Sequence, residues 1–142
     1  GSRFMPYYHS EYRQVKGCRE RYPDPYFQIH PETAANLGIG DGMWCWIETL
    51  RGKCLQRAKL DSGIMPQVVS AQHGWWFPEE DGSEPNLYGN FRCNINNLLP
   101  NGHMGKLGFG APNKCLICNI EPVSESYDTD MAVVWEKFGK LV

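Results

Sequence analysis

The 142-residue chain carries 14 basic and 16 acidic residues, a net charge of −2, with 42% hydrophobic and 13% aromatic residues. That balance excludes a disordered chain and argues against nucleic acid or an anionic membrane as partner, because both need concentrated positive charge. The length suits one domain with a sizeable core, and no apolar run reaches the roughly 18–20 residues of a membrane span.

Gly1-Ser2 reads as an expression remnant, so that Arg3 opens the domain. No signal-peptide pattern is expected at the start, and any targeting segment would lie upstream, leaving the compartment open. Residues 3–25 hold Pro6, Pro23 and Pro25 and predict an irregular, extended lead-in with one short helical turn. Phe27-Gln28-Ile29 predicts a short strand. Pro31 at a first helical position, then Ala34, Ala35 and Leu37 with Gly38 as stop, predict a helix of about two turns. Gly40-Asp41-Gly42 turns the chain into a strand Trp44–Leu50, and Arg51-Gly52 closes a hairpin back through Lys53–Leu60.

A further strand is expected after Pro66, within Ile64–Gln72, with Val68-Val69-Ser70-Ala71 at its centre. Residues 78–90 are rich in Glu, Asp, Gly, Pro and Asn and predict a loop. Asn94–Leu99 predicts a short helical turn. Residues 100–113, with four glycines and two prolines, predict another long loop. Cys115–Ile120 is expected as the last core strand. From Asp128 onward, Met131, Val134, Trp135 and Phe138 repeat at the spacing of one amphipathic helix. Many short strands, little helix and long loops together describe a closed β-barrel.

Six cysteines are an even number, but a chain this size does not need a disulfide framework, and free cysteine in a strand behaves as a small hydrophobe. A reducing or anaerobic setting fits them. Cys115-Leu116-Ile117-Cys118 is a CxxC without a second pair, so a zinc or redox site lacks its remaining ligands. The four histidines, 9, 30, 73 and 103, show no metal-ligand spacing, and no P-loop, GxGxxG, GxSxG or HExxH is present.

Polar and aromatic residues concentrate in four loops: Tyr7–Gln14, His73–Trp76, Asn94–Asn97 and Gly108–Lys114. Asparagine offers a donor and an acceptor to a purine or pterin edge, glycine lets backbone N–H groups approach a diphosphate, and Arg13 can fork onto a phosphate or a carbonyl. The ordinary structural alternatives stand beside these readings. Trp75 and Trp76 also suit a barrel cap, the asparagines suit turns that satisfy their own backbone, and His9 suits a packed, hydrogen-bonded histidine.

The segment His30–Lys53, HPETAANLGIGDGMWCWIETLRGK, together with HGWWFPEE at 73–80 and the order YHSEYRQ, NINxL and GxPxK, resembles the C-terminal molybdopterin (guanine) dinucleotide-binding domain of the dimethyl sulfoxide reductase superfamily of molybdenum and tungsten oxidoreductases. The resemblance covers roughly residues 3–122 and leaves 123–142 as a tail with its helix. It implies a mainly β fold, a six-stranded double-psi β-barrel of the aspartate-decarboxylase-like type with short peripheral helices. It implies a module of a larger anaerobic enzyme that holds bis-(molybdopterin guanine dinucleotide) with Mo or W jointly with upstream domains of the same polypeptide. An iron–sulfur electron-transfer subunit is the further partner it implies.

Carried over position by position, Tyr8, His9, Ser10, Arg13 and Gln14 would bond pterin or diphosphate atoms. His73, Gly74 and Trp75 would lie along the cofactor wall, Asn94 and Asn96 would contact pterin or nucleotide, and Lys114 would approach a phosphate or pterin oxygen. No residue here would ligate the metal, which takes its protein ligand from an earlier domain. Two positions depart from the pattern: Leu99 where Thr often follows NxL, and Met43 where Asp often follows the DG turn. Two other readings remain open. One is a cofactor-free docking barrel like the amino-terminal domains of some ring ATPases. The other is a double-psi decarboxylase that would cleave itself at Gly82-Ser83.

Overall fold

The computed structural model describes residues 2–100 and 116–138. Five strands make up its sheet: β1 (Tyr26–Ile29), β2 (Trp44–Thr49), β3 (Gly52–Leu60), β4 (Val69–Ala71) and β5 (Asn119–Pro122). They lie in the order β4-β1-β3-β2-β5. The expectation of a mainly β fold with few helices holds. The described residues form this five-stranded open order, with β4 and β5 as its edges.

The centre of the sheet follows from local chemistry. Leu50 and Arg51 form a two-residue hairpin loop between Thr49 and Gly52, which face each other in register. Gly52 sits at φ +150, outside the range open to L-residues. Before β2, Gly42 at φ +80 donates its N–H to the Ala58 carbonyl at 2.8 Å, and the Asp41 carboxylate accepts from the Leu60 N–H at 2.8 Å. The Gly-Asp-Gly turn is therefore stitched onto β3. That stitch brings the chain back so that β1 and β3 run parallel, Phe27 opposite Ala58 and Ile29 opposite Leu60. Between β1 and β2, α2 (Pro31–Asn36) starts with the His30 imidazole accepting from the Glu32 N–H and ends at Gly38, φ +69. It buries Ala34 completely.

Alternating residues supply the main core: Phe27 and Ile29 of β1, Cys45 and Ile47 of β2, Cys54 and Ala58 of β3, Ala71, Ile95 and Leu98. Burial alone pushes the Cys45 thiol up to about 11, and burial with a smaller effect of Cys118 pushes Cys54 up to about 12, so both stay protonated and inert. Residues 95–98 form a 3-10 turn, as expected of 94–99, and α3 (Asn90–Cys93) precedes it, starting on the last residue of the expected 78–90 loop.

Two strand expectations shift. β4 covers three residues, because the Val68 N–H bonds the Met65 carbonyl and the Thr33 hydroxyl holds the Pro66 carbonyl at 2.6 Å, keeping 64–68 in turns. The last strand is Asn119–Pro122 rather than Cys115–Ile120. Its register with β2 places Ile120 opposite Ile47 and Pro122 opposite Cys45, as an exposed edge with only Ile120 half-buried. Ile117, which reads as core in sequence, is 93% exposed. Cys115 lies outside the described residues, and among those described no cluster of three or more His, Cys, Asp or Glu could hold a metal ion.

The tail helix α4 (Met131–Phe138) forms as its periodicity predicts, burying Val134. It is docked by polar contacts that the pattern does not reveal. The Trp44 indole donates to Asp128 at 2.8 Å, and Arg57 pairs with Asp24 at 2.8 Å and with Asp128 at 3.2 Å. The Thr129 N–H bonds buried Asp24, and the Lys137 ammonium donates to the Glu79 carbonyl at 2.8 Å. The tail thereby covers Trp44, on the face of β2 away from the core.

Candidate functional site

The Tyr7–Gln14 loop has an inward and an outward side, created by two residues in the left-handed region, His9 at φ 49 and Tyr12 at φ 71. Tyr7 and Arg13 turn inward and are buried, whereas Tyr8, His9, Ser10 and Gln14 stay exposed. The Tyr7 hydroxyl donates to the Tyr22 carbonyl at 2.6 Å, anchoring the loop to the end of α1 (Lys16–Arg21).

Arg13 is 0% exposed. Its guanidinium donates to the carbonyls of Glu11 at 2.9 Å, His9 at 2.8 Å and Gly74 at 3.5 Å. It lies 3.9 Å from the Tyr7 ring centre and 4.6 Å from that of Trp75. Burial, partly offset by Tyr7, lowers its pKa to about 10, so it remains a cation. No carboxylate pairs with it among the described residues, and its Nε has no partner there. The sequence reading expects Arg13 to bond pterin or diphosphate atoms; in the structure its guanidinium is spent largely on backbone carbonyls. It braces the loop from beneath.

The second segment, His73–Trp76, lies against the first. Gly74 is at φ +69, and a Cβ there would meet the His9 carbonyl carbon and oxygen at 3.0 Å and the Ser10 nitrogen at 3.1 Å. Only glycine allows this approach. Across the seam His9 Nδ1 and His73 Nε2 are 2.9 Å apart, and the Trp76 indole donates to the Ser10 carbonyl at 2.7 Å. Trp75 turns inward at 0% exposure, its ring edge-on to Tyr7 with centres 5.3 Å apart. Trp75 is thus packed in the core, and half-buried Trp76 is the member of the pair nearer the surface.

Beneath both segments Arg19 and Glu79 form a bidentate ion pair, at 2.5 and 3.1 Å, and Arg19 also donates to the Arg13 carbonyl at 3.1 Å. Arg19 is fully buried and stacks on Trp75 and Phe77. Buried Gln56 joins the third segment, its amide donating to the Gln72 carbonyl at 2.9 Å and the Cys93 carbonyl at 3.0 Å. Sequence reasoning did not single out Arg19 or Gln56. Their partners lie 60, 16 and 37 residues away, beyond any local pattern.

In the third segment Asn94 is occupied structurally, accepting from the Asn96 N–H at 3.0 Å and donating to Asn90 at 2.7 Å, the self-satisfying turn role. Asn96 is exposed on the 3-10 turn. Lys114 lies outside the described residues. The structure thus brings the first two segments into direct contact and ties the third to the end of β4 through Gln56. Their exposed groups are Tyr8, His9, Ser10, Gln14 and Asn96, with His73 half-buried. Gly82-Ser83 sits in an exposed acidic turn in which the Ser83 hydroxyl bonds Asp81.

The family model described as Molydopterin dinucleotide binding domain matches residues 3–107. The chain belongs to this family. It is a molybdopterin dinucleotide-binding domain of the dimethyl sulfoxide reductase superfamily. It is 47% identical over 79 residues to a dopamine dehydroxylase of Eggerthella lenta, covering 56% of this chain and 8% of that protein. It is 34% identical over 122 residues to a trimethylamine-N-oxide reductase of Haemophilus influenzae, covering 79% of this domain and 14% of the reductase. Among solved structures, acetylene hydratase from Pelobacter acetylenicus superposes with a TM-score of 0.78 at 26% identity, over 85% of this domain and 17% of that chain. The domain therefore spans less than a fifth of the length of each of these relatives.

Proposed function

We propose that this domain is the cofactor-holding module of a larger anaerobic molybdenum or tungsten oxidoreductase. In that enzyme it would grip bis-(molybdopterin guanine dinucleotide) together with upstream domains of the same polypeptide. The observation that carries this reading is the family match over 3–107, which takes in both the Tyr7–Gln14 and His73–Trp76 segments that meet at the Gly74 seam. In the same reading the five strands belong to the six-stranded double-psi barrel, a view supported by the parallel β1–β3 pair and the likeness to acetylene hydratase.

The residues present fit such a group. Tyr8, His9, Ser10, Gln14, His73 and Asn96 offer donors and acceptors at the surface, suiting a pterin or purine edge. Behind them Arg13 supplies a buried positive charge with no acidic partner among the described residues, suiting an anionic ligand. Arg13, Gly74, Trp75 and Asn94 shape and brace the loops from within. When bound, the cofactor supplies the redox chemistry, and the protein supplies binding, orientation and electrostatics. The metal's protein ligand and any iron–sulfur cysteines would come from upstream domains, and an electron-transfer subunit would complete the assembly.

The test is to grow the full-length parent anaerobically with molybdate and tungstate, denature it in acid, and assay pterin fluorescence, GMP and metal together. All three are expected. Gln14→Ala and Asn96→Ala, both at exposed positions, should lower pterin content without unfolding the protein. A folded parent devoid of pterin and GMP would overturn the reading.

A further inference from the structure

The family match ends at residue 107, so the tail that carries α4 lies outside it. Two separate anchors nevertheless fasten this tail beside the roots of both loops of the site. The first is on the sheet, where Asp128 accepts from the Trp44 indole at 2.8 Å and pairs with Arg57 at 3.2 Å. Next to it the Thr129 N–H donates to the buried Asp24 carboxylate at 3.0 Å. The second anchor is at the far end of α4, where the Lys137 ammonium donates to the carbonyls of Glu79 at 2.8 Å and Glu80 at 3.2 Å. Between the anchors Val134 is fully buried, and the Trp135 ring centre lies 5.9 Å from the Lys16 ammonium of α1.

Arg19 is where the tail meets the loops. Its guanidinium donates to the Arg13 carbonyl at 3.1 Å, at the base of the Tyr7–Gln14 loop, and grips the Glu79 carboxylate just beyond the His73–Trp76 segment. It also reaches the Thr129 hydroxyl of the tail at 3.4 Å. Glu79 is thereby held from two sides, its carboxylate by α1 and its carbonyl by α4. A buried cation shared by three segments fixes their spacing, because moving one of them away strands charge in the core.

We propose that residues 128–138 are a positioning strap, which ties α1 to the Glu79–Glu80 segment and so holds the Tyr7–Gln14 and His73–Trp76 loops at a fixed spacing. The inference rests on the cofactor-module reading for what the two loops bind. Asp128 and Lys137 are exposed, so each anchor is modest alone, and the strap works because several contacts act at once. Its release loosens the seam while the sheet keeps its own core of Phe27, Ile47 and Ala58.

The experiment is NMR-detected hydrogen exchange on the 142-residue chain, comparing Lys137→Met and Asp128→Ala, singly and together, with the unsubstituted chain. Three N–H groups report. The Trp76 indole on the Ser10 carbonyl reads the seam, the Glu11 amide on the Tyr8 carbonyl reads the first loop, and the Ala58 amide on the Met43 carbonyl reads the sheet. In the double variant the first two should exchange about tenfold faster, with Ala58 within about twofold of its original rate. Each single variant should show part of that effect, and Lys137→Arg, which keeps a donor in place, should behave as the unsubstituted chain. A Trp76 indole that exchanges at its original rate in the double variant would overturn the proposal. So would equal acceleration of Trp76 and Ala58, which marks a general loss of stability. The measurement needs no cofactor, so its failure would leave the module reading to the separate pterin assay of the parent.

Discussion

Gly74→Ala should unfold the seam between the two loops, and its cost can be worked from two separate sources. The residue sits at φ +69, where an L-side chain costs about 1–2 kcal/mol. The added methyl would also meet the His9 carbonyl at 3.0 Å and the Ser10 nitrogen at 3.1 Å. These are backbone atoms that cannot swing aside, and overpacking of this kind costs a further ~1–3 kcal/mol. Together the expected loss is about 2–5 kcal/mol. At roughly 3–5 °C per kcal/mol for a domain of this size, the Tm should fall by about 10 °C. The assay is thermal unfolding followed by circular dichroism, with Gly17→Ala as the matched control. Gly17 lies within α1 with nothing within 4 Å of a built Cβ, so alanine there should raise the Tm slightly. A Gly74→Ala protein melting within about 2 °C of the parent would show that the loops yield easily, refuting the argument that glycine is required.

Glu79→Gln should strand the fully buried Arg19 guanidinium without its ion-pair partner, costing about 3 kcal/mol and lowering the Tm by roughly 10 °C in the same assay. An unchanged melt would mean that the bonds Arg19 donates to the Pro23 carbonyl at 2.8 Å, the Arg13 carbonyl and the Thr129 hydroxyl hold it without the carboxylate. Acid should detach the tail. The Trp44 indole first, then Ser126 and Arg57, hold the Asp128 carboxyl below its usual range against the opposing effect of burial. Its contribution is therefore complete above the unfolded-state value near ~3.9 and is lost as pH falls through the lower folded-state value. Trp44 fluorescence should change over that acid window, and Asp128→Asn should remove the transition; a transition of the same midpoint in Asp128→Asn would assign it to another group.

Much of the backbone was legible because its causes are local. Pro31 and Gly38 bracket α2, the Gly-Asp-Gly turn and the two-residue loop set β2 and β3, and the tail's apolar spacing foretold α4. The motif resemblance likewise rests on contiguous residues, and the family match over 3–107 bears it out. The site was legible only as a set of residue types. Nothing in YHSEYRQ says that Arg13 turns inward beneath exposed His9 and Ser10, or that Trp75 is core while Trp76 reaches the surface.

Those outcomes depend on which distant segments arrive at the same place: His9 against His73 across 64 positions, Arg19 against Glu79 across 60, Trp44 against Asp128 across 84. The apolar run through Ile117 shows the same limit, since antiparallel pairing with β2 made its downstream part an exposed edge instead of core. Local propensity and periodicity act over a few residues and so are carried by the sequence itself. Burial, charge pairing and the facing of a loop are properties of the assembled surfaces, and only the tertiary structure decides them.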